Sequence, residues 1–355
     1  MGMYGMGQPV PRTEDPRLLT GRGQYVSDVV FHNMAWGYMV RSPLAHARIR
    51  SIDTEAARAL PGVLDVYTHV DLEKAGYGLT RPHFPPRKRP KDDSPEYWAS
   101  HPGLSSDRVR MIGDAVAFVV AETLAKAKDG AELVHVDYEE LPVVTDTSKA
   151  TDPSSPQLYE EFPNNISNVA EFGDKDAVAA AFKEASHITK QRFVINRIST
   201  NAMETRGCVG FYNRLEDRYT MYCDTQNPHG SRQQLAEEIL GIPETNVRVV
   251  ARDIGGAFGL KGTHFPENRL CLLAARELDR PVKWVCERSE GFIADDHARD
   301  VITDAELALD SQGKFLGLRI RNTSNLGAYL SAGSGMVPTF MNLGGLAGVY
   351  TTPAI

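Results

Sequence analysis

The chain has 355 residues, 42% of them hydrophobic and 24% charged, with a formal net charge of −7; at roughly 150 residues per domain, this length corresponds to about two domains. Apolar residues spread along the whole sequence and a mean hydropathy of −0.32 exclude wholesale disorder and a membrane-embedded chain. The excess of 46 acidic over 39 basic residues argues against a nucleic-acid partner. The dense basic run Arg87–Lys91, set among prolines, reads as a solvated loop.

The N-terminal stretch MGMYGMGQPVPRTEDPR has neither a basic region followed by an apolar core nor the Ser or Thr that myristoylation requires where Met6 stands. No stretch reaches the ~20 uncharged apolar residues of a membrane span, since the best run, Met111–Ala121, contains Asp114. The expected location is the cytoplasm. Cys208, Cys223, Cys271 and Cys286 form no Cys-x-x-Cys pair and lie in apolar segments. They read as buried free thiols rather than ligands of an iron–sulfur cluster or zinc.

In chain order, Arg48–Ile52 reads as a strand and Thr54 as the N-cap of a helix through Leu60, ended by Pro61-Gly62. Strands are expected at Val63–Tyr67, Val116–Ala121 and Val134–Tyr138, with a helix across Leu124–Ala131. A cluster of turn formers from Asp146 to Asn165 then separates two domains. The second opens with a helix over Asp174–Ala185 and strands at Ile188–Ile195 and Tyr219–Asp224. Ser231 and Gln234 form a capping-box signature for a helix that Gly241 ends. A strand over Asn246–Arg252 runs into the glycine-rich segment Gly255–Gly259, a helix follows Pro266 to about Asp279, and Val301–Leu309 and Phe315–Asn322 form a hairpin around Asp310–Gly313. The alternation of helices and strands makes the fold α/β or α+β.

Several residues could carry chemistry. Gly255–Gly259 is either a tight structural turn or a cradle whose backbone N–H groups face an anion. It is not a P-loop, because Leu260 precedes Lys261 and Gly262 follows, and it is not a dinucleotide fingerprint, because Ala257 occupies the second glycine position. Gln226, between a strand and a helix, can donate to an oxygen-rich ligand while accepting from a backbone N–H, or can simply satisfy the strand end. His229 reads as a helix-flanking residue or a metal ligand, and Glu204 as a general base or the salt-bridge partner of Arg206. The acidic stretch Asp295-Asp296-His297 to Asp300 has the look of a metal site but reads as a solvated turn. No Ser or Cys occupies a nucleophile elbow, which weakens hydrolase readings.

Seven segments taken together resemble the large molybdenum-binding subunit of the molybdenum hydroxylases, the family of xanthine dehydrogenase, aldehyde oxidase and aerobic carbon monoxide dehydrogenase. They are Arg12–Tyr25 (RTEDPRLLTGRGQY), Arg41–Ile49 (RSPLAHARI), Val109–Val116 (VRMIGDAV), Val136–Pro142 (VDYEELP), Met203–Arg206 (METR), Thr225–His229 (TQNPH) and Gly255–Gly259 (GGAFG). The resemblance implies an α+β chain: an α/β hammerhead domain over residues 20–145, a linker over 146–165, and the first part of a mixed α/β molybdenum-cofactor domain over 166–355.

It also implies that Gln226, Gly255, Gly256, Ala257, Phe258 and Gly259 contact a molybdopterin-type molybdenum cofactor, in its cytosine dinucleotide form, with no direct protein ligand to the metal. The implied reaction hydroxylates or dehydrogenates a small molecule (an aldehyde, an N-heterocycle or carbon monoxide) with water as oxygen source. Electrons would pass to iron–sulfur clusters and FAD on partner subunits. Two positions depart from the family pattern: Ala257 replaces the commonest third glycine, and Gly262 stands where purine-oxidising relatives carry a substrate-binding glutamate. The family's active-site loop and its proposed base lie beyond Ile355, so the chain is expected to be the N-terminal half of a longer subunit or one member of a split pair, and no catalytic residue is assigned. A different class of function, a non-catalytic module that keeps the fold for assembly, is the alternative.

Overall fold

Before residue 146 the chain forms strands β1 (Ala35–Arg41), β2 (Ala47–Asp53), β3 (Val63–Tyr67), β4 (Arg108–Val109), β5 (Ala115–Ala121) and β6 (His135–Glu140). After it come β7 (His187–Ile198), β8 (Gly207–Asn213), β9 (Arg218–Cys223), β10 (Val247–Val250), β11 (Val282–Val285), β12 (Ala298–Leu309) and β13 (Phe315–Ser324). The computed structural model describes residues 9–81, 97–262, 264–331 and 345–355, together with Gly7, Gly335 and Val337. The basic run Arg87–Lys91 lies outside the described residues.

The uninterrupted apolar run of β5 is buried at every position, as expected of a strand covered on both faces. It pairs with β1 and β3 in a seven-stranded sheet of order β10-β9-β8-β11-β1-β5-β3. The strands on either side of the 146–165 segment meet inside this sheet, where β1 and β11 run parallel with Ala35 opposite Val282 and Trp36 opposite Lys283. One core also spans both parts, joining Met39 and Phe118 to Met221, Leu270, Leu273 and Trp284. Sheet and core therefore continue across the turn-rich segment.

The remaining strands form two three-stranded sheets, β4-β2-β6 and β13-β12-β7. The expected hairpin is β12 and β13, paired from Val301↔Ser324 to Leu309↔Phe315. Helix Pro266–Leu278 buries nine residues, starts at Pro266 and ends on Asp279 in the left-handed conformation. The free cysteines are all four buried.

Three strands of the seven-stranded sheet carry no clear sequence signal, and they are the ones that join its two parts: β1 and β8 carry glycines, and β11 is only four residues long with a lysine in it. The Lys283 ammonium in β11 is nevertheless buried, donating to the carbonyls of Ser27 at 2.6 Å and Val29 at 3.0 Å. Two caps differ in detail. Asn227, not Ser231, caps the helix Pro228–Gln233 by accepting from Gly230 N at 3.1 Å, which leaves Ser231 inside the helix. Thr54 stands at the N-cap of Glu55–Ala59 as expected but makes no side-chain cap bond, and the Asp53 carboxylate accepts the Glu55 amide at 2.9 Å. In both places an Asx side chain just upstream competes successfully for the free N–H. Gly241, at φ 64°, ends the following helical turns as expected.

Candidate functional site

β10 delivers the chain to Gly255–Gly259. Gly256 and Gly259 have φ values of 107° and 98°, and the intervening Phe258 takes a left-handed φ of 52° with its side chain 81% exposed. A side chain at Gly256 or Gly259 would be strained by about 1 kcal/mol. Gly255 is needed for a different reason, since a Cβ there would lie 2.5 Å from the Glu204 Cβ.

That close approach pins the start of the loop. Gly255 N donates to Glu204 Oε2 at 2.7 Å, and Glu204 N donates back to the Gly255 carbonyl at 3.1 Å. The buried Lys261 ammonium closes the far end, donating to the Glu204 carbonyl at 3.0 Å and pairing with Glu204 Oε2 at 3.1 Å and Asp224 Oδ2 at 2.6 Å. Burial raises the Asp224 carboxyl above its usual range, opposed by Lys261.

Gln226 is held over the loop by two backbone contacts. Its N–H donates to the Lys261 carbonyl at 3.0 Å, and its side-chain Oε1 accepts the Gly259 N–H at 3.1 Å. Because the oxygen is occupied by a donor, Nε2 is the free end of the amide, and it lies beside Gly262, where a Cβ would be 3.7 Å from it. Among the described residues, the N–H groups of Gly256, Ala257 and Phe258 and the Gln226 Nε2 have no protein acceptor. Gln226, Phe258 and Gly259 are exposed. The structure thus brings all six residues singled out in the sequence together; Gln226, Gly256, Ala257 and Phe258 keep an unclaimed neutral donor, while the N–H groups of Gly255 and Gly259 are taken by Glu204 and Gln226.

Glu204 does not pair with Arg206. Each is drawn to partners supplied by the tertiary fold: Glu204 to Lys261 and the loop, Arg206 to Glu267 Oε2 at 3.0 Å and Asp295 Oδ1 at 2.6 Å. Glu267 also pairs with Arg41, which reaches Glu290 at 2.7 Å. Burial would raise the Glu267 carboxyl, but Arg206 and Arg41 outweigh it and hold it down to about 2. The guanidinium of Arg206 stacks 3.7 Å from the centre of the Phe265 ring.

The acidic stretch is not a solvated turn. Asp295 completes the Arg206 network, burial pushes Asp296 up to about 6 against the pull of Arg206, and Asp300 is held by Arg197, Thr147 and Asn325 at 2.8–3.1 Å. Its acids are turned to separate partners, and among the described residues no group of three or more His, Cys, Asp or Glu side chains is arranged to hold a metal ion. His229 lies exposed in the first turn of its helix. Lys261 and Asp224 are the site residues that sequence reasoning missed, because two isolated charges 37 positions apart follow no spacing rule.

The family model for the molybdopterin cofactor-binding domain matches residues 158–355. The chain belongs to the molybdenum hydroxylases. The model for the aldehyde oxidase and xanthine dehydrogenase a/b hammerhead domain matches residues 20–142. The chain is 37% identical to the nicotine 6-hydroxylase large subunit of Paenarthrobacter nicotinovorans and 35% identical to the carbon monoxide dehydrogenase large chain of Afipia carboxidovorans, with 91% and 92% of the chain aligned. It covers 38% and 40% of those two proteins, well under half their length.

Among solved structures, carbon monoxide dehydrogenase from Oligotropha carboxidovorans superposes with a TM-score of 0.81 at 34% identity, covering 90% of this chain and 40% of that one. Quinoline 2-oxidoreductase from Pseudomonas putida 86 superposes with a TM-score of 0.79 at 35% identity, covering 88% and 38%. These hydroxylase subunits share its α+β architecture. Among the described residues no helix is long and apolar enough to cross a membrane.

Proposed function

We propose that Gln226 and Gly255–Gly259 form one wall of the site for a molybdopterin-type molybdenum cofactor, in its cytosine dinucleotide form. The observation that carries this reading is the coupling of Gln226 to the loop. The Gly259 N–H occupies Oε1, so that Nε2 and the three consecutive backbone amides of Gly256–Phe258 remain as donors without a protein acceptor among the described residues. Neutral donors suit an anionic, oxygen-rich group, because they orient it without burying a further full charge. The residues present therefore fit the group. When bound, the cofactor would supply two-electron redox chemistry on a small substrate with water as oxygen source.

This chain's own part is binding and orientation. Gln226 Nε2 and the loop amides would donate to the oxygen atoms of the cofactor, and Glu204 with Lys261 fixes the loop from beneath. The complete protein is proposed to be a molybdenum hydroxylase large subunit located in the cytoplasm, working with an iron–sulfur subunit, an FAD subunit and the C-terminal half of its own molybdenum subunit. Aldehydes, N-heterocycles and carbon monoxide are the proposed substrate classes. Gly262 bears on this choice: a Cβ there would lie 3.7 Å from the Gln226 amide, so a large side chain at 262 would reach the same space. Its absence disfavours a purine substrate.

The test is Gln226→Ala in the complete enzyme, followed by metal analysis, pterin fluorescence and turnover. Lower molybdenum occupancy or turnover in a normally assembled complex is expected, whereas full molybdenum with unchanged turnover would overturn the assignment.

A further inference from the structure

Among the sequence motifs outside the proposed cofactor loop is the stretch Arg12–Tyr25. In the structure it turns back on itself, with Arg17 Nη1 reaching the Arg22 carbonyl at 3.4 Å, and lies against the residues that lead into the loop. Arg17 forks onto Asp253, with Nη2 donating to Oδ1 at 2.7 Å and Nη1 to Oδ2. Gln24 completes the contact in both directions: its N–H donates to Asp253 Oδ2 at 2.8 Å, and its carbonyl accepts the Asp253 N–H at 3.2 Å. Arg252 Nη1 donates to the Gln24 side-chain oxygen at 2.9 Å. One residue beyond the motif, Val26 N donates to Glu204 Oε1 at 3.4 Å.

These contacts converge on two carboxylates. Asp253 lies two residues before Gly255, and Glu204 is the residue that grips the Gly255 amide. The same short segment thus holds the loop's entry both directly and through its clamp. The Arg17 guanidinium and the Gln24 N–H hold Asp253 down to about 2, so the pair stays ionised across neutral pH. A planar fork onto a carboxylate also fixes orientation, which a single ammonium contact does not.

We propose that Arg17–Val26 is a strap that sets the position of the cofactor loop, with Arg17 as a positioning residue acting through Asp253. The proposal rests on the reading that Gly255–Gly259 contacts the cofactor. The strap limits the excursions of residues 253–259, so that the unclaimed amides are arranged before the cofactor arrives rather than ordered by it.

The experiment compares Arg17→Ala, Arg17→Lys and the control Arg12→Ala, whose exposed partner Asp15 lies off the loop, in the complete multisubunit enzyme. The readouts are peptide-level hydrogen exchange over residues 24–26 and 253–259, the rate of pterin release on dilution, and the melting temperature. Arg17→Ala should speed exchange over both segments and pterin release by about five- to tenfold, as loss of a bidentate charged contact implies. Arg17→Lys should fall between Arg17→Ala and the wild type, and Arg12→Ala should match the wild type, with melting temperatures nearly unchanged throughout. If Arg17→Ala leaves exchange over 253–259 unchanged, the strap is overturned. If exchange rises while pterin release stays at the wild-type rate, the strap stands and the assignment of the loop to the cofactor fails.

Discussion

Two buried cations lie close together in this chain, and they are used differently. Arg206 sits between Glu267 and Asp295, and Lys261 between Glu204 and Asp224. Arg206 belongs to a network closed within the protein: it ties helix Pro266–Leu278 to β1 through the Glu267–Arg41 pair and is covered by the Phe265 ring. Lys261 braces the underside of a loop whose upper face is open to solvent. The first network joins the two parts of the fold, and the second holds a surface of donors in place. Opposite charges two residues apart, Glu204 and Arg206, serve one network each.

The comparison predicts a ranking of stability losses in chemical denaturation. Glu267→Gln should be the most damaging, by about 3–5 kcal/mol, because it leaves Arg206 and Arg41 short of a buried partner. Lys261→Met should cost about 2–3 kcal/mol, less because Glu204 keeps the Gly255 amide and retains some solvent access. Unlike Glu267→Gln, its effect should be centred on hydrogen exchange around the loop. Equal losses with equally global unfolding would erase the distinction between the two cations.

pH sharpens it further. Glu267 is depressed from 4.5 to about 2, so its contribution is complete above the unfolded value and is lost as pH falls from about 4.5 through 2. Asp296 is raised from 3.8 to about 6, so stability associated with its neutral form is present below about 3.8 and is lost as pH rises through 6. Asp296→Asn should therefore flatten the decline in denaturant midpoint between pH 4 and 6 while leaving the acid limb below pH 4 in place. Retention of the full decline would place its origin elsewhere.

The loop itself should contribute least to stability. Gly256→Ala should cost about 1 kcal/mol through strain at positive φ, together with a loss of molybdenum occupancy in the complete enzyme. Gln226→Ala, at an exposed position, should change stability by no more than about 0.5 kcal/mol, so any loss of occupancy it causes reports on the site rather than on folding. A larger stability loss for Gln226→Ala than for Lys261→Met would reverse the roles assigned to the two layers.

Much of the fold was legible wherever local physics is strong. The unbroken apolar run at Val116–Ala121, Pro266 at a helix start, Gly241 at a helix end and the turn Asp310–Gly313 all mark elements that formed where they were expected. β1, β8 and β11 were not legible, because glycines in β1 and β8 and the brevity and lysine of β11 obscure a strand pattern, and the strands form by pairing with neighbours distant in sequence. The candidate site divided in the same way. Gly255–Gly259 stood out by composition and Gln226 by its place between strand and helix, but nothing local distinguished Glu204 as the clamp of a loop 51 positions away.

By itself the sequence determined the class of the chain, the elements with strong local signals and, through seven segments in family order, the region proposed to meet a cofactor. A hydrophobic period, a turn former or a motif depends on neighbours in the chain and can be read without the fold. Only the tertiary structure decided which charges are partners, that one sheet crosses the turn-rich segment, and that the Gln226 oxygen is taken by Gly259. The first two outcomes depend on burial, and the Gln226–Gly259 bond on the fold setting a strand end beside the loop. Once a charge or an amide leaves water it must be satisfied by whatever group the fold brings within reach, and distance along the chain no longer limits the choice.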